Sequence, residues 1–201
     1  MLSLSTVQQK DKSGFTLIEI LVVITLIGII TVFATTFFIT TIDQYFALQQ
    51  NATAFNDLSS HYQRLANVIR GITGINSAAA NDLNIYAYFY PNDTYVSLVH
   101  YYISGGKLLA DVTPMTANPP SGTPITANKK TYTIIDQFVS ISGVDTFVYL
   151  DAGNATLASP VSSLNSIKAI KVNLAVPSKA PTNTNQSLTL QLSLRNRKTN
   201  L

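Results

Sequence analysis

The amino-acid sequence predicts an α+β protein in which one long N-terminal helix packs on an antiparallel β-sheet head. Three observations lead to this fold class. Residues 15–42 are apolar with a single charge, residues 43–74 keep apolar side chains at helical spacing, and residues 75–201 alternate like short strands without further helices. The length of 201 residues suits one domain with an anchor.

The composition narrows the functional classes. Hydrophobic residues make up 46% of the chain and charged residues only 11%, whereas about 25% charged residues is usual in a soluble domain. The net charge of +3 is too small to imply a nucleic-acid partner by itself. The chain has no cysteine, which excludes a disulfide framework and thiolate chemistry.

Residues 15–42 predict a transmembrane helix. As a helix these residues would reach roughly 42 Å, and about 20 apolar residues already span a bilayer core. Lys10 and Lys12 precede the run and Asp43 follows it, so the positive-inside bias places the N-terminus in the cytoplasm and residues 43–201 outside. The run is too long for the apolar region of a secretory signal, roughly 7–15 residues. A plain signal anchor stays open as an alternative.

The single charge in this run is Glu19, close to its start. An acid in a membrane anchor costs about 2.5–3.5 kcal/mol at the bilayer centre and less near the edge. The side chain could snorkel toward the headgroups. A neutralised charge pair is much less costly than a buried lone charge, so Glu19 indicates an oppositely charged partner.

The segment KSGFTLIEILVVITLIGII, residues 12–30, resembles the N-terminus of type IV pilins and of the pseudopilins of type II secretion. The resemblance rests on a basic leader, the pair Gly14 and Phe15, the acid Glu19 and the apolar run behind it. It implies that residues 1–14 are a leader, that a prepilin peptidase cuts after Gly14, and that Phe15 is then N-methylated. It also implies that Glu19 pairs with the N-terminal amine of a neighbouring subunit during filament assembly.

The same resemblance implies the partners of the chain. They are other pilin or pseudopilin subunits, the prepilin peptidase, a membrane assembly platform and the lipid of the cytoplasmic membrane. Many major pilins have a proline where this chain has Thr36, although Gly28 leaves local melting of the helix open. This departure and the long, strand-rich head favour a minor pilin or a J-type pseudopilin.

An apolar stripe continues the helix into residues 43–74, its amphipathic half. The members of the stripe recur at spacings of three and four: Leu48, Ala52, Phe55, Leu58, Tyr62, Leu65, Ile69 and Ile72. Gly71 and Gly74 then interrupt the pattern. We therefore predict one helix from about residue 15 to residue 72, with this stripe covering the sheet.

The sequence of the head, residues 75–201, predicts seven strands in one antiparallel sheet. The candidate strands are LNIYAYFY, TYVSLVHYYI, KLLADV, TYTIIDQFVSI, TFVYL, SIKAIKVNLAV and SLTLQLSLRN. Ser104, Gly105 and Gly106 predict a hairpin turn between the second and the third. Residues 113–130 and 177–187 have no periodicity and predict flexible loops.

Tyrosines in the head give one candidate ligand contact. Tyr86, Tyr88 and Tyr90 would share one face of a strand, as a stacking platform for DNA, a sugar or a surface. The alternative is an ordinary packed sheet face, because Tyr favours strands. Lys129 and Lys130 could touch phosphates of a nucleic acid, or could be solvated loop charges.

Motifs for catalysis or metal binding are missing from the sequence. It contains no HExxH, nucleophile elbow, phosphate loop or EF-hand pattern, and neither His61 nor His100 has a metal-spaced neighbour. The segment DAGNAT, residues 151–156, could wrap a calcium ion or form a plain turn. We therefore expect no enzymatic activity, no cofactor and no metal.

The sequence as a whole favours a structural subunit of a pilus-like filament. We expect a single-pass protein of the cytoplasmic membrane, with its head outside, that then enters an extracellular or cell-surface filament. That filament could belong to a pilus, a competence system or type II secretion. The alternative is a signal-anchored surface adhesin or DNA-binding protein that forms no filament.

Overall fold

The computed structural model describes residues 14–177 and 185–194. In this part of the chain the fold is α+β, as predicted, with one long helix followed by two antiparallel sheets. The chain divides into two compact units, the first ending at Phe46 and the second beginning at Ala47. The helix and strands are α1 (Leu17–Arg70), β1 (Gly74–Ala79), β2 (Asp82–Ala87), β3 (Ser97–Ser104), β4 (Lys107–Pro114), β5 (Lys130–Ile135), β6 (Phe147–Leu150), β7 (Ala169–Val176) and β8 (Gln186–Ser193).

The part of α1 in the first unit is apolar and uncovered. Every Val, Ile, Leu and Phe of residues 15–42 is at least 46% exposed. The helix continues through Gly28 and Thr36 without a break. Six threonine hydroxyls of this part donate to the carbonyl four residues earlier, at 2.7–2.9 Å: those of Thr25, Thr31, Thr35, Thr36, Thr40 and Thr41. These hydroxyls are therefore satisfied within the helix, as an apolar environment requires.

The last turns of α1 supply one wall of the hydrophobic core of the head. The residues of this wall are at most 5% exposed: Leu58, Tyr62, Leu65, Ala66, Val68 and Ile69. They belong to one buried cluster with residues of both sheets, such as Ile85 and Val99 in the first and Phe147 and Ile170 in the second. Helix-to-sheet packing through this half of the stripe is thus confirmed.

The first half of the predicted stripe is exposed instead. Leu48 is 69% exposed and Phe55 is 40% exposed, and Ala52 also lies on the surface. The prediction that these three residues cover the sheet is wrong. Leu48 precedes Leu58 by about 15 Å of helix at 1.5 Å per residue, so the core of the head does not extend to it.

The larger sheet is a five-stranded meander in the order β1-β2-β3-β4-β5, and each neighbouring pair is antiparallel. The predicted hairpin turn is confirmed between β3 and β4, where Ser104 pairs with Lys107. Gly105 and Gly106 have φ of 58° and 70°. Two successive residues with positive φ form the turn type that fits the twist of a hairpin, which is why two glycines stand here.

Strands β6, β7 and β8 form a separate three-stranded antiparallel sheet. The Tyr149 hydroxyl of β6 donates to the carbonyls of Ala79 and Asp82 at 2.8 and 3.3 Å. The Phe147 amide donates to the Ala80 carbonyl at 2.8 Å. The turn between β1 and β2 is therefore tied directly to the second sheet.

The number and extent of the strands differ from the prediction. The described residues hold eight strands in two sheets, rather than seven strands in one. Strand β1 was not predicted, because its residues GINSAA are mostly small or polar and have little strand propensity. The strand predicted over residues 83–90 ends at Ala87, and the one predicted over residues 131–141 ends at Ile135.

Residues 113–130, which we predicted as a flexible loop, contain local backbone pairing. The Thr116 amide donates to the Thr123 carbonyl at 3.0 Å, and a 3₁₀ helix spans Thr126–Asn128. Short-range backbone pairing of this kind leaves no periodic signal in the sequence. In the second predicted loop, residues 178–184 lie outside the described residues.

Candidate processing site and head surface

The junction predicted for cleavage stands at the beginning of the described chain. Gly14 and Phe15 precede α1 and are exposed, Phe15 by 77%. A Cβ atom built on Gly14 would meet nothing within 4 Å, and the backbone there has no positive φ. Packing among the described residues therefore does not require a glycine at this position. Lys10 and Lys12 lie outside the described residues.

Thr16 caps the N-terminus of α1. The Glu19 amide lies 3.3 Å from the Thr16 hydroxyl and donates to the Thr16 carbonyl at 3.1 Å. Thr16 and Glu19 have the spacing of a capping box, a signal that the sequence analysis missed and that places the helix start at Leu17. The cap holds Glu19 in the first turn of the helix, where the positive end of the helix dipole favours a carboxylate.

Glu19 is exposed at this helix start. The ion pairs found among residues 14–177 and 185–194 join His100 to Asp82, Lys107 to Asp136 and Lys129 to Asp111, and none of them includes Glu19. In the described part of the chain the carboxylate therefore has no cationic partner. Its pairing with the amine of a neighbouring subunit stays a prediction.

The N-terminal unit thus combines an exposed Gly14–Phe15 junction, a capped helix start with one carboxylate, and an uncovered apolar helix. Among the described residues, α1 is long and apolar enough to cross a membrane. Residues 9–35 match the family model described as the prokaryotic N-terminal methylation motif. The match supports a type IV pilin-like precursor with a membrane-anchored N-terminus. A search of curated proteins found no match.

The methylation motif ends at residue 35 and does not include the head. The three tyrosines predicted to share a strand face lie in different surroundings, because β2 ends at Ala87. Tyr86 packs beside Gly74, where an added Cβ would lie 3.1 Å from its ring. Tyr88 lines a small cavity of about 220 Å³, and Tyr90 lines a different one of about 640 Å³. The prediction that the three tyrosines share one face of a strand is therefore wrong. Contact of these residues with a ligand stays a prediction.

A four-residue turn, residues 90–93, follows two residues after the end of β2. The Tyr90 amide donates to the Asp93 carboxylate at 2.9 Å, and the Asp93 amide donates back to the Tyr90 carbonyl at 3.2 Å. Pro91 takes the second position of this four-residue turn, where its fixed φ is favourable.

An aromatic cluster surrounds the base of this turn. The Phe89 ring centroid lies 5.0 Å from that of Tyr90 and 5.1 Å from that of Tyr132. The Arg64 guanidinium stacks over Phe89 at 4.7 Å and over Tyr90 at 5.2 Å. A hydrogen bond from the Tyr132 hydroxyl lowers the pKa of Tyr90, and the same bond raises the pKa of Tyr132. These contacts fix the orientation of the rings.

The two lysines that could touch phosphates or be solvated loop charges, Lys129 and Lys130, have different surroundings. Lys129 Nζ lies 2.5 Å from Asp111 Oδ2, and the hydroxyls of Thr131 and Tyr102 donate to Asp111 Oδ1 at 2.6 and 3.3 Å. Burial by itself would raise the pKa of Asp111, but the bonds from Lys129, Thr131 and Tyr102 outweigh it and hold this pKa below its ordinary value. Both lysines line the larger cavity, but Lys129 is also one half of a structural ion pair.

The segment DAGNAT forms a turn. Asp151 Oδ1 accepts hydrogen bonds from the amides of Gly153 and Ala155, both at 2.8 Å. In residues 14–177 and 185–194, no three side chains of His, Cys, Asp or Glu come together as metal ligands would.

Proposed function

We propose that this chain is a structural subunit of a type IV pilus-like filament, made as a precursor that a prepilin peptidase cuts after Gly14 and methylates on Phe15. The observation that carries the proposal is the methylation motif over residues 9–35, followed by an uncovered apolar helix. Thr36 in place of a proline, together with the strand-rich head, favours a minor pilin or a J-type pseudopilin. In this function the chain is the substrate of an enzyme and has no catalytic role of its own.

Glu19 would set the position at which a new subunit docks. Cleavage leaves an α-amino group on Phe15, about 6 Å along the axis from Glu19 of the same chain. Among apolar helices a lone carboxylate is costly, and pairing with the amine of a neighbour offsets that cost. The carboxylate therefore penalises an undocked subunit and stabilises one register of assembly.

Exposed apolar side chains beyond the membrane segment support assembly over a plain anchor. Tyr45, Phe46 and Leu48 follow Asp43 and are 63%, 54% and 69% exposed. The hydrocarbon core of a bilayer matched to residues 15–42 would not reach Leu48, and contact with other subunits would remove this surface from water. The subunit would wait in the cytoplasmic membrane, with its head outside, and then enter a filament of a pilus, a competence system or type II secretion.

The test of processing is the intact mass and N-terminal sequence of the protein purified from membranes of its own host. We expect a chain that starts at Phe15 and is heavier than its sequence mass by one methyl group. A Gly14→Val variant is the matched control and should remain uncut, because a branched side chain replaces the glycine at the cleaved bond. A wild-type chain that still starts at Met1 would overturn the proposal and leave the anchored binding protein.

A further inference from the structure

A cavity of about 640 Å³ opens beside the aromatic cluster of the head. This volume falls in the range of natural small-molecule sites, roughly 300–1,000 Å³. Its wall combines aromatic rings with side chains that donate and accept hydrogen bonds: Tyr90, Tyr95, Tyr132, Asp93, Asn128 and Lys130. The cavity thus offers both stacking surfaces and polar groups to one ligand.

The aromatic part of the wall is partly fixed and partly open. Tyr90 is held from one side by the Arg64 guanidinium at 5.2 Å and from another by the edge of Tyr132 at 6.3 Å between centroids. Tyr95 also lines the cavity and is 44% exposed. A ligand would therefore meet one pre-oriented ring and one ring whose surface is still open to contact.

The charges around the cavity identify the class of ligand. Two lysines, Lys129 and Lys130, line the cavity together with Asp93. Asp111 pairs with Lys129, so Asp93 and Lys130 are the remaining opposite charges on the wall. A nucleic acid or another polyanion depends on an excess of cationic contacts, which this balance does not supply. A neutral molecule with apolar ring faces and many hydroxyls matches the wall better, since its faces stack on tyrosine and its hydroxyls bond with carboxylate, amide and ammonium groups.

We propose that this cavity binds a neutral saccharide. A sugar ring stacks between Tyr90 and Tyr95, and its hydroxyls bond with Asp93, Asn128 and Lys130. Binding of this kind goes beyond the proposed filament function and needs neither cleavage nor assembly. Failure of the saccharide proposal would leave the filament proposal standing, and the reverse also holds.

The test is saturation-transfer NMR on the full chain, held in micelles of a detergent without a sugar headgroup. The probes are methyl glycosides and disaccharides of glucose, galactose, mannose and N-acetylglucosamine. We expect transfer to at least one of them, with affinity about two- to tenfold weaker in Tyr95→Ala, the size of effect that one aromatic contact gives. Tyr95→Phe should keep the affinity, because it keeps the ring.

Tyr88→Ala is the matched control, because Tyr88 is exposed to nearly the same extent, 41% against 44%, but does not line this cavity. It should bind the sugar like the wild type. A second variant, Asn128→Ala, probes the polar wall and should also weaken binding. The proposal is overturned if no sugar of the panel receives saturation, or if Tyr95→Ala and Asn128→Ala both bind like the wild type. Binding of oligothymidylate alone, weakening as salt rises, would overturn it in favour of a nucleic acid.

Discussion

The two halves of the apolar stripe on α1 make a testable pair, because one half is needed for folding and the other is not. Ile69 is fully buried in the cluster that joins α1 to both sheets, whereas Leu48 is 69% exposed. Truncating a buried isoleucine to alanine costs about 2–5 kcal/mol. In a domain of this size each kcal/mol lowers Tm by about 2–4 °C, so we expect Ile69→Ala to lower the Tm of the head by about 4–20 °C.

Leu48→Ala is the matched control, since it removes a side chain of the same size from the same helix. A surface substitution of this kind changes stability by about 0.5 kcal/mol at most, which corresponds to a Tm shift of about 2 °C or less. Both variants can be compared by circular dichroism on residues 47–201, because the buried cluster lies wholly within residues 58–194. An unchanged Tm in Ile69→Ala would refute the conclusion that only the second half of the stripe is needed for folding. An equal decrease of Tm in Leu48→Ala would refute it as well.

Two further predictions concern ionisable groups. Glu19→Ala should leave insertion and cleavage intact but remove the protein from sheared filaments, as judged by immunoblot; undiminished incorporation would contradict the pairing of Glu19 with a neighbouring amine. Burial raises the pKa of Tyr101 and of Tyr149, so both stay neutral in the fold while the unfolded chain ionises above about pH 10. The unfolded state then binds fewer protons, and stability should fall above pH 10 by up to about 1.4 kcal/mol per pH unit for each tyrosine. Urea midpoints between pH 9 and pH 11 measure this slope, which Tyr149→Phe should flatten; an unchanged slope in that variant would contradict the role of burial.

The features that the sequence predicted correctly are those with a local cause. The long helix follows from a period that is legible in consecutive residues, and the β3–β4 turn follows from two adjacent glycines that both adopt positive φ. The end of α1 at Arg70 also lies within two residues of the predicted end. In each case a few neighbouring residues decide the backbone conformation.

The features that it could not predict depend on residues far apart in the chain. The division into two sheets is fixed by contacts such as Tyr149 with Ala79, which no short window contains. The neutralisation of Lys129 by Asp111 likewise depends on the pairing of β4 with β5. From the sequence alone, Lys129 and Lys130 could both contact a phosphate. The register of β4 and β5 places the Asp111 carboxylate beside Lys129.

The C-terminal strand shows how a head without cysteine is closed. β8 pairs with β7 along its whole length, from Ala169 with Ser193 to Val176 with Gln186. Near its end Leu192 and Leu194 are at most 1% exposed, and the Leu194 amide donates to the Lys168 carbonyl at 2.9 Å. Burial of a leucine contributes about 1.5–3 kcal/mol, so these two side chains together can match the roughly 2–4 kcal/mol that a disulfide typically gives. Pairing with β7 and burial of its leucines thus hold the strand in place without a covalent cross-link.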